Sequence, residues 1–156
     1  MTSAPREISD ALGLILNQDF RKRLYAEITE GVHEGFDAGT YSTLSALARC
    51  LSTHESVSAA TLAGSLGLDR SVVSRRCSAL ARDGLISIDR PPHDERKALL
   101  SLTPAGEAAI GVARERLDAA ISARTRGWTA EELATFARLI GRFAGDGPLS
   151  LTEAQV

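Results

Sequence analysis

Apolar residues set a four-residue rhythm at the start of the chain. From Ser9 onward Leu12, Leu16, Phe20, Leu24 and Ile28 recur at every fourth position, with Ala11 and Ile15 widening the stripe, the signature of an amphipathic helix. Ser9 is a suitable N-cap. A helix from about residue 10 to 30 is roughly 30 Å long, and so long a stripe demands a partner. Gly31, Gly35 and Gly39 then punctuate a connection, Asp37 is placed to cap, and Leu44, Leu47, Ala48 and Leu51 mark a second helix.

The run SAATLAGSLGLDRSVVSRRCSALARDGL changes the scale of the pattern to two short helices joined by a tight turn. Ser58 caps the first, whose inner side is Leu62, Ala63 and Leu66, and Gly67 suits a left-handed turn position. Asp69 caps the second, whose inward stripe is Val73, Cys77 and Leu80, and Asp83-Gly84 stops it. This is a helix-turn-helix pattern. Leu85-Ile86-Ser87-Ile88 then alternates as a strand, and Ala98, Leu100 and Leu102 alternate as its return. The intervening DRPPHDERK is the tip of a hairpin, where two prolines stiffen the turn and block further strand pairing.

Beyond the hairpin the helical period returns. Thr103 can cap a helix with Pro104 at its first position, and Ile110, Ala113, Leu117, Ala120 and Ile121 trace its apolar face to about Arg126. Thr129-Ala-Glu-Glu132 is a capping box for a further helix carrying Leu133, Phe136, Ala137, Ile140 and Phe143, which ends at Gly145. The fold expected is mainly α with a small β-hairpin wing. It reads as one domain over 1–156: a winged helix-turn-helix lobe at 54–103, helical regions at 9–35 and 104–145, and a tail at 146–156.

A helix-turn-helix followed by a hairpin assigns tasks to side chains. With Val73, Cys77 and Leu80 turned inward, Arg70, Ser71, Ser74, Arg75 and Ser78 fall on the opposite face. The second helix of such a motif enters the DNA major groove, where arginine forks match guanine O6 and N7 and small hydroxyls meet bases or phosphates. At the hairpin tip Arg96 and Lys97 bring positive charge to where a wing meets the backbone or the minor groove. Asp94 is placed to hold the Arg96 guanidinium through a charge-assisted hydrogen bond. Arg90, on the outgoing strand, is a further phosphate candidate and His93 a weaker one.

Composition adjusts this picture only slightly. The net charge of the 156 residues is -2, but residues 54–103 hold seven Lys/Arg against six Asp/Glu, so the middle is less acidic than the rest. Sixteen of the eighteen basic residues are arginine, the planar fork that suits phosphate and guanine. Cys50 and Cys77 form neither a disulfide framework nor a zinc knuckle. No apolar run approaches the roughly 20 residues of a membrane span, and the polar start is not a signal peptide. A cytoplasmic protein with no membrane partner is expected.

The stretch LAGSLGLDRSVVSRRCSALARDGLI through DRPPHDERKALLSLTPAG resembles the MarR family of bacterial winged-helix transcription regulators. The wing pattern Asp-x-Arg stands as Asp94-Glu95-Arg96, and Leu-Thr-x-x-Gly as Leu102, Thr103 and Gly106. The order of helices extends the resemblance over roughly residues 9–145. It implies an obligate homodimer in which the first and the last two helices interleave with their counterparts, making 9–35 and 104–145 the dimerisation region. It implies that Arg96 enters the minor groove, that Asp94 orients it, and that Arg70, Ser71, Ser74 and Arg75 read the major groove of a palindrome with half-sites about one helical turn apart. A ligand-responsive repressor is the expected role, with small aromatic acids as the effector class. His33, Phe36 and Tyr41 lie in a plausible region for such a ligand, although core packing suits the aromatics better. The rival readings are a winged-helix module for protein contacts and a sequence-blind architectural DNA binder.

Two departures from the family pattern stand out. Thr61 replaces the Glu or Gln that completes a capping box after Ser58, and Arg76 sits where a leucine is common, either snorkelling at the core edge or touching a phosphate. Cys77 reads as an apolar filler, whereas Cys50, ending the second helix with partial exposure expected, is a candidate thiol switch. The three histidines show no ligand spacing, so no metal or other cofactor is expected. Trp128 reads as a packing anchor. No GxSxG, P-loop or HExxH pattern is present, and an enzyme is not expected.

Overall fold

The computed structural model describes residues 3–92 and 98–145. Their elements run α1 (Ala4–Leu16), α2 (Gln18–Thr29), α3 (Ala38–Thr53), α4 (Ala59–Leu66), α5 (Arg70–Arg82), β1 (Ile86–Asp89), β2 (Leu99–Leu102), α6 (Pro104–Arg124) and α7 (Ala130–Gly145). The chain divides into two compact units, Met1–Leu117 and Asp118–Val156. The architecture is the winged helix-turn-helix expected, mainly helical with one antiparallel hairpin.

The first unit owns the core. Leu44 and Leu47 of α3, Val57, Leu62 of α4 and Val73 of α5 are fully enclosed, and Cys77, Leu80, Leu85, Ile86, Leu100, Ile110 and Ala113 join the same cluster. The inward stripe read from α5 is the buried one. At the end of α4, Gly67 takes φ 62°, and the amides of Gly67 and Leu68 donate to the carbonyls of Gly64 and Ala63. This Schellman ending satisfies carbonyls that the last turn leaves free and reverses the chain into Asp69. The same pair of bonds recurs at Gly84 and Leu85, onto Ala81 and Leu80, and turns α5 into the hairpin.

In the hairpin Ile86 pairs with Leu102 and Ile88 with Leu100. The segment preceding α4 runs beside it: Leu100 N donates to Val57 O at 2.8 Å and Ser58 bridges to Leu99. The Leu-Thr-x-x-Gly motif has a physical reading here. The Thr103 hydroxyl donates to Gly84 O at 2.6 Å and accepts from Gly106 N at 3.1 Å, capping α6 and tying it to the end of α5. Gly106 lies so close to the Leu85 carbonyl that a Cβ would stand 2.0 Å from its oxygen.

Several expectations need correction. The single helix over 10–30 is two helices, because Asn17 adopts ψ 135° and its side-chain oxygen accepts from the amides of Asp19 and Phe20, capping α2 afresh. Ser9 is no cap: α1 begins at Ala4 with Pro5 in its first turn, and Ser9 lies inside it. Gly39 belongs to the first turn of α3 rather than to the connection, since Asp37 already caps that helix through Thr40 N at 2.8 Å. α6 ends at Arg124, two residues short of the expected end, and Ile121 on its apolar face is 46% exposed. Ala98 precedes β2, and Arg90 follows β1 instead of lying on it.

In the second unit the capping box of α7 forms as read. The Thr129 amide and hydroxyl donate to Glu132 Oε2, and Glu132 N donates to Thr129 Oγ1 at 3.2 Å. The backbone and then the side-chain bond from Thr129 hold the Glu132 carboxyl below its ordinary pKa. α7 buries no residue: Phe136, Ile140 and Phe143 are all exposed. Trp128 is 45% exposed and packs edge-on against Phe136 with ring centroids 5.3 Å apart.

Candidate nucleic-acid interface

α5 is two-sided. Val73, Cys77 and Leu80 are buried, and Arg70, Ser71, Ser74, Arg75 and Ser78 are all exposed on the opposite side. Asp69 sets where this surface starts: its Oδ1 accepts from Ser71 N at 2.7 Å. Hydrogen bonding from Ser71, through its hydroxyl first and its amide next, holds the Asp69 carboxyl below its ordinary pKa, with the Arg75 charge a smaller contribution. Ser78 donates its hydroxyl to Ser74 O at 3.0 Å, which leaves it only lone pairs to offer outward. Two guanidinium forks and two small hydroxyls therefore line a slim face at the first two turns of α5, a surface chemically suited to phosphates and guanine edges.

The structure brings together Arg70, Ser71, Ser74 and Arg75, and leaves Arg90 exposed just past β1. Asp94, Arg96 and Lys97, read as the wing tip, lie with His93 outside the described residues.

Arg76 is half-buried, and its Nη1 reaches Thr43 Oγ1 of α3 at 3.5 Å. It packs back against the lobe, the snorkelling alternative. Thr61 costs α4 little, because Ser58 Oγ still accepts from Thr61 N at 3.2 Å and the two hydroxyls are 3.1 Å apart.

The residues read as a ligand region do not line the cavity described below. Phe36 is in the core, Tyr41 packs on Tyr25 with centroids 6.1 Å apart, and His33 is exposed with Nδ1 on Glu34 O. A cavity of about 560 Å³ lies elsewhere, between Leu51 and Ser52 of α3, Ser101 of β2, and Glu107, Ile110 and Arg114 of α6. Periodicity gives no notice of it, because α3, β2 and α6 are far apart in sequence. Ser45, one turn before Ala48 at its edge, is buried with no partner for its hydroxyl among the described residues.

Cys50 is 5% exposed, not partly open, because the end of α3 still faces the core, so the thiol-switch reading lacks access. Burial likewise raises the Cys77 pKa and keeps it a thiol. Among the described residues no three metal-ligating side chains gather, and no helix is long and apolar enough to cross a membrane.

Comparison with known proteins meets this geometry. Residues 41–98 match the MarR family model. No curated protein sequence matches the chain. Among solved structures, the PcaV transcriptional regulator from Streptomyces coelicolor, in complex with its natural ligand, is 26% identical with a TM-score of 0.57, over 92% of this chain and 97% of that one. Wild-type MarR from E. coli is 21% identical with a TM-score of 0.64, over 92% and 98%. BpsR from Bordetella bronchiseptica, whose DNA binding is regulated by 6-hydroxynicotinic acid, is 17% identical with a TM-score of 0.63, over 88% and 98%. The matched segment is the lobe that carries the two-sided α5, and over most of its length the chain shares the fold of these MarR-family regulators.

Proposed function

We propose that this protein is a transcriptional repressor that binds a palindromic operator as a homodimer and releases it on binding a small aromatic acid. The observation that carries the reading is the division of α5 into a buried apolar stripe and an exposed face of Arg70, Ser71, Ser74 and Arg75. In this reading each α5 enters a major groove, Arg75 and Arg70 pair with guanine edges or phosphates, and the serines let the helix backbone approach closely. Arg96 takes the minor groove with Asp94 orienting it, while Lys97 and Arg90 hold phosphates. Regions 9–35 and 104–145 supply the dimer contacts.

The effector has a candidate seat in the cavity of α3, β2 and α6, whose volume falls in the range of small-molecule sites. Arg114 can take a carboxylate, Leu51 and Ile110 offer apolar contact, and Ser52 and Ser101 can orient a ring substituent. BpsR, whose DNA binding is regulated by 6-hydroxynicotinic acid, supports that class of effector, and PcaV, solved with its natural ligand, supports a ligand-responsive regulator.

Footprinting the purified protein on the DNA flanking its own gene tests the reading. A protected, two-fold symmetric site whose affinity falls steeply with salt is the expected result. Arg75→Ala lowers affinity for that site by about 1–3 kcal/mol and relaxes its specificity. Equal binding to any duplex points to an architectural protein, and indifference to all DNA to a protein-contact module. Titration with 6-hydroxynicotinate, with and without Arg114→Ala, checks the seat.

A further inference from the structure

The apolar stripe of α5 seals it to the lobe, but apolar contact is non-directional and does not by itself fix rotation about the helix axis. Reading a base edge needs placement to about half an ångström. A polar tie on the flank of α5 supplies the missing direction. Arg76 leaves that flank, is half-buried between the core stripe and the outer face, and reaches Thr43 Oγ1 at 3.5 Å. Thr43 is 1% exposed, and its hydroxyl is already committed as a donor to Gly39 O at 2.7 Å. Its lone pairs are therefore fixed in direction, and the guanidinium is what they face. The head group lies over Gly39: the point its Cβ would occupy is at ordinary contact distance, 3.7 Å from Arg76 Cζ and 3.4 Å from Asp37 Oδ1. The carboxylate that caps α3 offsets the unfavourable placement of a cation near a helix N-terminus.

We propose that Arg76 is a positioning residue: seated on Thr43 and Gly39 of α3, it fixes the rotation of α5 and thereby aims Arg75 and Ser74. The inference rests on the operator-binding reading above. It gives α3 a mechanical hold on the reader helix through one hydroxyl. Arg76 itself touches no DNA, which separates it from its neighbour Arg75.

The test measures binding of the full-length chain to a duplex that the wild-type protein enriches from a random pool, and to a scrambled duplex, across a range of salt. Arg76→Leu and Thr43→Val each lose about tenfold on the enriched duplex, the scale of one hydrogen bond to a charged group, and nothing on the scrambled one. The double variant loses no more than either single one, and Thr43→Ser, which keeps the hydroxyl, binds as wild type does. The salt slope stays unchanged throughout. A slope that drops by about one unit in Arg76→Leu, with equal loss on both duplexes, makes Arg76 a phosphate contact and overturns the proposal. Indifference to both substitutions, in a protein that does enrich a sequence, overturns it alone. If the wild-type chain enriches no sequence, the regulator reading falls first and takes this one with it.

Discussion

α3 and α7 are both 16-residue helices with apolar residues at helical spacing, yet they end in opposite states. Leu44 and Leu47 of α3 are fully enclosed, while Leu133, Phe136, Leu139, Ile140 and Phe143 of α7 are between 38% and 44% exposed. α1 shares the condition of α7, with Ile8, Leu14, Ile15 and Leu16 open and no buried residue. Soluble monomers rarely leave apolar patches of such extent uncovered. The difference teaches that a periodic stripe states how much surface must be buried but not in which molecule. The winged lobe closes on itself within one chain, whereas the stripes of α1 and α7 stay open within it, the condition that the homodimer proposed above requires.

The largest effect is expected where the open stripe is charged. Phe136→Asp puts a carboxylate in the middle of the α7 face and abolishes dimerisation, since an unpaired charge at an apolar interface carries a penalty of several kcal/mol. Sedimentation equilibrium then reads a single subunit, and operator binding, which needs two lobes, is lost. A variant of unchanged mass and affinity breaks the comparison, because α7 is then simply an exposed helix. Next comes Gly106→Ala inside the closed lobe. A methyl 2.0 Å from the Leu85 oxygen forces α6 and the end of α5 apart, at a cost of about 3 kcal/mol or more by analogy with overpacked cores. Thermal unfolding measures it, and an unchanged midpoint refutes the close approach.

A matched pair sharpens the contrast further. Leu47→Ala, at a fully enclosed site, destabilises by about 2–5 kcal/mol at any protein concentration. Leu139→Ala, 41% exposed, behaves as a surface substitution within about 0.5 kcal/mol in the dilute subunit. Its cost appears only as concentration rises into the dimer range. Denaturant titrations at two protein concentrations separate the two, and parallel behaviour removes the distinction between the regions.

The lobe was legible because its signals are local and agree with one another. Ser58, Gly67, Asp69 and Gly84 each sit where cap or turn chemistry requires them, and the inward stripe Val73, Cys77, Leu80 follows from those boundaries. The break at Asn17 was hidden because the apolar residues continue in phase across it, so periodicity outweighed a cap that Asn17 followed by Asp19 in the first turn does advertise. Leu102-Thr103-x-x-Gly106 could be recognised as a motif, but the Leu85 carbonyl that explains its glycine lies some twenty residues away in sequence. The cavity and the Arg76 seat were illegible for the same reason, each joining α3 to elements from later in the chain. A place at a helix end suggests exposure for Cys50, but the face a residue occupies matters more than its distance from the terminus.

The smallest effect tests α5 by charge alone. Asp69 caps α5, and its folded-state pKa lies below the ordinary value through Ser71 and, to a lesser degree, Arg75. A carboxylate with a depressed folded pKa adds stability above its unfolded value of about 3.9 and loses it as pH falls through the folded one. Wild-type protein therefore sheds this contribution below about pH 4, and stability rises with pH through that window. Asp69→Asn retains an oxygen for the Ser71 amide and hence most of the cap, but it has no proton to take up, so its stability is flatter over the same range. Asp69→Ala loses the cap at every pH and lowers the melting temperature throughout. Melting curves of the three proteins between pH 3 and pH 7 decide the matter. If wild type and Asp69→Asn trace parallel curves, the carboxylate charge contributes nothing to α5, and only the geometry of the cap holds its first turn in place.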